Sequence, residues 1–131
     1  MKLVGVVKAV GPPPFTVLFV EDDSAVRDFV VDLLRAKGLG VFAAADGYDA
    51  LRLLAAHHVD VLFTDIILPG MDGVQLASRA KSMRPGLKVL FATGYAGMAM
   101  RRGAMRYGAV LFKPVRAGEI LRQVEMLRAV T

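Results

Sequence analysis

The sequence contains no cysteine. Disulfides, zinc–thiolate sites and thiol catalysis are therefore excluded, and the chain suits a reducing compartment such as the cytoplasm. No apolar run approaches the roughly 20 residues that a membrane-spanning helix needs, so no membrane partner is expected. Met1 to Val10 does not read as a signal peptide: Gly5 and Lys8 break its apolar stretch, and no small-residue cleavage site follows. Acidic residues are missing altogether from residues 73–118, which hold nine basic side chains, whereas residues 1–72 hold ten acidic and six basic ones. The net charge of +5 thus hides a division into an acidic first part and a basic second part. Such a basic surface suits an acidic protein or nucleic acid. Without an aromatic-studded strand or a recognisable DNA-reading helix, direct nucleic-acid binding is not expected.

What is present fits one domain. A chain of 131 residues leaves no room for a second folded module and buries about two-thirds of its unfolded surface. A hydrophobic fraction of 55% points to elements covered on both faces. Gly11-Pro12-Pro13-Pro14 is a stiff break, which divides a flexible extension, residues 1–14, from a domain over residues 15–131. The extension reads as a disordered lead-in or a misplaced start codon, against a short strand that adds to a sheet edge, here or in a neighbouring molecule.

Within the domain, strand and helix patterns alternate five times. Thr16–Val20 is a continuous apolar run closed by acids, as in a central parallel strand. A helix follows, with Ser24 as a possible cap, Val26, Val30, Leu33 and Leu34 at helical spacing, and Gly38 at its end. Val41–Ala45 is a second strand, and Asp46 or Gly47 opens a helix bearing Ala50, Leu51, Leu53 and Leu54. A third strand from Val59 ends at Asp65. After the Pro69-Gly70 turn a helix runs from about Val74 to Met83, and Lys88–Thr93 is the fourth strand. A helical stretch between Ala96 and Tyr107, a fifth strand Ala109–Phe112 and a helix Val115–Ala129 complete the chain. This alternation predicts an α/β fold, a doubly wound parallel sheet with helices on both faces. Ligands in such sheets sit at the carboxyl ends of the strands.

Those ends carry Glu21-Asp22-Asp23, Asp65, Thr93 and Lys113-Pro114. Clustered carboxylates repel one another and call for a cation, and oxygen donors favour a hard ion such as Mg²⁺. With that repulsion offset, one carboxylate can act as a nucleophile toward phosphorus, while a lysine and a threonine hold the added oxygens.

The segments Val17-Leu18-Phe19-Val20-Glu21-Asp22-Asp23, Asp65 through Gly73, Ala92-Thr93-Gly94 and Lys113-Pro114 together resemble the response-regulator receiver family, in order and spacing, over residues 16–129. The resemblance implies a flavodoxin-like sheet of five parallel strands in the order 2-1-3-4-5 with five helices. It also implies phosphorylation of Asp65 by a histidine kinase or histidine phosphotransfer protein, with signalling to a downstream protein. By the same resemblance Asp22, Asp65 and the Ile67 carbonyl would hold Mg²⁺, with Glu21 acting through water. Thr93 and Lys113 would bind the phosphoryl group, and Pro114 would follow a cis peptide. Such a module acts on no external substrate, catalysing only its own phosphorylation and dephosphorylation, and works as a monomer or weak dimer.

Several residues have plainer readings. Asp23 and Asp72 are expected as helix or turn caps, the His57-His58 pair as a helix end, and the methionines as packing; exposed methionines would suit an adaptable partner face. The chain departs from the family pattern three positions before the lysine, where many receivers place an aromatic switch and this one has Val110. Tyr95 is a candidate substitute or simply a loop aromatic. The short Thr93–Ala96 and Gly108–Lys113 segments resemble receivers of hybrid kinases or free-standing relatives. Ile67 and Tyr95 would flank the phosphoryl group and slow its hydrolysis, and Arg101, Arg102 and Arg106 would face an acidic partner.

Three other functions compete. A phosphate-independent binding module is compatible with Val110 but leaves the complete Asp22, Asp65, Thr93 and Lys113 set without a purpose. An aspartyl-phosphate hydrolase needs Asp-x-Asp, and Asp65-Ile66-Ile67 lacks the second acid. A flavin binder needs a Ser/Thr/Gly-rich loop after the first strand, where this chain has acids.

Overall fold

The computed structural model describes residues 14–94 and 97–130. The expected extension therefore lies outside the described residues except for Pro14, as do Tyr95 and Ala96. Five strands, β1 (Thr16–Val20), β2 (Gly40–Ala44), β3 (Val61–Asp65), β4 (Lys88–Thr93) and β5 (Gly108–Phe112), alternate with five helices. These are α1 (Ser24–Ala36), α2 (Gly47–Ala56), α3 (Gly73–Met83), α4 (Met98–Met105) and α5 (Ala117–Ala129). The strands pair in parallel in the order β2-β1-β3-β4-β5, as expected.

The apolar strands are continuous because both faces of the sheet are covered. Leu18, Val20, Leu62, Val89 and Phe91 point into one core with Leu54 of α2, Leu76 of α3 and Ala104 of α4. Val17, Phe19, Val61, Phe63 and Leu90 point into the other, with Leu34 of α1 and Val124 of α5. Neighbours along each strand thus enter opposite cores, which locks the register: a one-residue slip would exchange the two sets.

Helix starts follow the acids. Asp23, not Ser24, caps α1, accepting from Ala25 N at 2.9 Å and Val26 N at 3.1 Å. Its backbone is extended, whereas Ser24 already belongs to the helix. Asp72 caps α3 in a reciprocal box with Gln75. The last helix starts at Ala117 rather than Val115, with Arg116 as an N-cap that makes no side-chain cap bond. His57 closes α2 and stacks on Phe42, with ring centroids 4.3 Å apart.

Six of the nine basic residues between positions 73 and 118 divide into two groups. Lys81 donates to the carbonyls of Pro85 and Leu87, Arg84 to that of Leu54 and Lys88 to that of Leu127. These three serve the architecture at the amino-terminal edge of the sheet. Arg101, Arg102 and Arg106 instead gather on α4 and its C-cap, and no carboxylate lies within ion-pair distance of them among the described residues.

Candidate functional site

The parallel register brings the strand ends to one edge. Val20 pairs with Thr64, Asp65 with Ala92, and Thr93 with Phe112. Each strand end is continued by one further backbone bond: Glu21 N to Ala44 O at 3.0 Å, Ile66 N to Ala92 O at 3.3 Å, and Lys113 N to Thr93 O at 2.8 Å. Residues from β1, β3, β4 and β5 therefore meet although up to 92 positions separate them.

Asp65 ends the central strand and is buried. Its Oδ1 accepts from Ile67 N at 3.1 Å and its Oδ2 from Lys113 Nζ at 2.7 Å. Lys113 Nζ also donates to Glu21 Oε1 at 2.9 Å. Glu21 is only 3% exposed; its second oxygen accepts from Asp23 N at 3.1 Å. Asp22 is exposed. One oxygen each from Glu21, Asp22 and Asp65 lie within 4.8 Å of one another. Burial opposes the charge of Lys113, but its hydrogen bonds to Asp65 and Glu21 and the charges of both carboxylates more than offset this, so its pKa lies above the ordinary lysine value.

Thr93 is buried at the end of β4, beside the Asp65 strand end. Ile67 lies in the loop after β3, its side chain half exposed. The Lys113–Pro114 peptide is cis. Gly73 is required by close approach: a Cβ there would overlap the Asp65 carbonyl oxygen, while Gly73 N bonds Ile66 O at 2.7 Å. Gly70 supplies the left-handed turn of the same loop, at φ +75°.

The donor set consists of oxygens alone, and three carboxyl groups face a single ammonium. That excess of negative charge, in a cluster of hard donors, fits Mg²⁺ better than a softer metal. The three arginines of α4 do not join this cluster.

Two contributors escaped the sequence. Arg27 of α1 donates to Glu21 O at 2.7 Å, bracing the first acidic loop; a carbonyl acceptor leaves no trace in sequence. Phe112 is 52% exposed, with the Arg101 guanidinium 5.6 Å from its ring centroid. The signal for it was its place directly before Lys113, on the same side of β5 as Val110.

An α/β sheet with these acids and this lysine at its carboxyl edge defines a signalling receiver. The chain belongs to the response regulator receiver domain family, whose pattern matches residues 17–125. It is 35% identical over 113 residues to the response regulator receiver protein CpdR of Brucella abortus, covering 85% of this chain and 94% of that protein. It is 38% identical over 89 residues to the sensor kinase CckA of the same organism, covering 66% of this chain but only 9% of the kinase. Among solved structures, a CheY-like receiver domain protein from Methanospirillum hungatei superposes with a TM-score of 0.82 at 27% identity, over 90% of this chain and 99% of that one. The receiver domain of NarL from Mycobacterium tuberculosis gives 0.77 at 31% identity, over 89% and 98%. Receiver domains are signalling modules of two-component systems that work with histidine kinases. No helix among the described residues is long and apolar enough to cross a membrane.

Proposed function

We propose that this chain is a phosphoacceptor switch in which Asp65 takes a phosphoryl group from a phosphohistidine of a kinase or phosphotransfer protein. The observation that carries the reading is the Asp65 carboxylate at the centre of the sheet edge, between Lys113, Glu21 and Asp22. In the reaction an Asp65 oxygen bonds to phosphorus as the P–N bond breaks. The donor imidazole leaves with the bonding electron pair, and an acyl phosphate forms. The chain thereby catalyses its own phosphorylation, and water later attacks phosphorus to restore the carboxylate.

The residues divide the work. Ile67 N holds one Asp65 oxygen, so the carboxylate presents a fixed face. Lys113 is already paired with Asp65 and remains charged to carry a phosphoryl oxygen. Thr93, at the end of the neighbouring strand, moves its hydroxyl to the phosphoryl group. Asp22, Asp65 and the Ile67 carbonyl would hold Mg²⁺, with Glu21 acting through water. The bound ion supplies charge neutralisation for incoming phosphoryl oxygens. The output is a docking change read by a downstream protein, with Arg101, Arg102 and Arg106 on the partner face; the protein acts in the cytoplasm as a monomer or weak dimer. Residues 15–131 form the receiver.

The test is intact mass after incubation with Mg²⁺ and acetyl phosphate. A gain of one phosphoryl group, absent in Asp65→Asn, is expected. A folded, Mg²⁺-binding chain that gains nothing would instead support a phosphate-independent binding module.

A further inference from the structure

Around the start of α1, residues 22–29 are exposed with one exception, Arg27, which is half-buried. Val26 and Phe29 stand open to solvent at 38% and 57%, so the usual preference is reversed. Withdrawing a cation from water needs compensation, and the loop after β1 supplies it. Arg27 Nη1 donates to Glu21 O at 2.7 Å and reaches Asp22 O at 3.5 Å. Although acids crowd this edge, no carboxylate lies within ion-pair distance of Arg27 among the described residues. The guanidinium is therefore committed to backbone, and the two carbonyls belong to the peptide groups on either side of the Asp22 Cα.

Asp22 is where that contact matters. Lys113 ties down the Glu21 and Asp65 carboxylates, whereas the Asp22 side chain is exposed and makes no hydrogen bond or ion pair among the described residues. Its direction is set by its own backbone alone. We propose that Arg27 is a positioning residue that aims the Asp22 carboxylate at the acidic cluster by fixing both flanking peptides, and thereby raises the affinity of the chain for Mg²⁺. The inference rests on the metal site proposed above and adds to it a side chain outside the oxygen donors. Groups that orient metal ligands from behind commonly alter metal affinity by about 10–100-fold.

Arg27 also binds the ligand to the helix. Its backbone N–H donates to Asp23 O at 2.9 Å, and Asp23 N in turn donates to Glu21 Oε2 at 3.1 Å, so a displacement of α1 carries Asp22 with it. The sign of the effect separates positioning from charge. As a nearby cation Arg27 repels Mg²⁺, and if charge were its only influence, removing it would tighten binding. Positioning predicts the opposite.

The test is calorimetric titration of the metal-free full chain with MgCl₂. Arg27→Gln is expected to raise the dissociation constant about tenfold. Arg27→Lys keeps the charge but not the planar fork, and should raise it by about threefold; it also serves if the glutamine variant does not fold. Arg35→Gln removes the same charge two turns further along α1, where Arg35 reaches only Val41 O, and should leave Mg²⁺ binding unchanged. Phosphorylation by acetyl phosphate gives a second reading. In Arg27→Gln the half-saturating Mg²⁺ concentration should rise about tenfold, while the rate at excess Mg²⁺ stays within about twofold of wild type. A lowered plateau with an unmoved midpoint would mark a merely structural role and overturn the proposal. So would an Arg27→Gln protein that binds Mg²⁺ as well as wild type or better. A wild-type chain that binds no Mg²⁺ would remove the metal site and this inference together, so the two failures are distinct.

Discussion

The Lys113 ammonium stands 2.7 Å from the Asp65 carboxylate, although the two residues are 48 positions apart in the chain. The same nitrogen reaches Glu21, so one cation holds the strand ends of β1, β3 and β5 together. Lys113→Met should destabilise the metal-free protein by about 1–3 kcal/mol, because the buried Glu21 loses its partner. Asp65→Asn should cost less: the amide oxygen still accepts a hydrogen bond, and one of three mutually repelling carboxylates is gone. Urea unfolding in EDTA measures both, and an equal or larger loss in Asp65→Asn would sink this account.

The raised pKa of Lys113 fixes the pH range of that contribution. It is complete below the ordinary lysine value and is lost as pH rises through the higher folded value. The difference between wild type and Lys113→Met should accordingly hold constant near neutrality and shrink only in strong alkali. A difference that closes between pH 6 and 8 would contradict the assignment.

Magnesium should stabilise the folded chain by mass action, by about 2.7 kcal/mol at a hundredfold excess over its dissociation constant. Asp22 is the exposed member of the acidic set, so Asp22→Asn should demand far more Mg²⁺ for the same rise in melting temperature. If thermal melts of the two proteins respond alike to Mg²⁺, Asp22 is not a ligand.

Gly73→Ala should cost about 1–3 kcal/mol through overlap with the Asp65 carbonyl. Since Asp65 must shift to relieve it, phosphorylation by acetyl phosphate should slow more than the loss of folded protein explains. Gly86→Ala, where a Cβ meets no atom within 4 Å, is the control.

Ile67 is expected to shield the acyl phosphate from water. The phosphorylated protein should therefore persist well beyond seconds under native conditions, and Ile67→Asn should shorten its life. Decay of the phosphorylated mass with time settles the matter either way.

The sequence was legible where one physical rule governs the pattern. Both-face burial makes Thr16–Val20 and Lys88–Thr93 unbroken apolar runs, and those two strands have the expected bounds. Boundaries moved where caps compete, as with Asp23 beside Ser24, or where pairing reaches beyond the apolar stretch, as at Gly40 and Gly108. The acids and lysine of the site were readable because all stand at strand ends. Their pairing was not: Lys113 contacts Glu21 and Asp65 together only because β5 joins the sheet in one register. The basic stretch was readable as composition, but the capping duties of Lys81, Arg84 and Lys88 depend on which carbonyls the fold leaves bare.

The Lys113 bridge across the strand ends also bears on synthesis. Lys113 lies in the last part of the domain to leave the ribosome, whereas the two buried acids it neutralises are made far earlier. A nascent chain can therefore assemble four strands and still lack the charge that binds its carboxyl edge together. The charge that joins the carboxyl edge therefore arrives only after β5, with just α5 left to add.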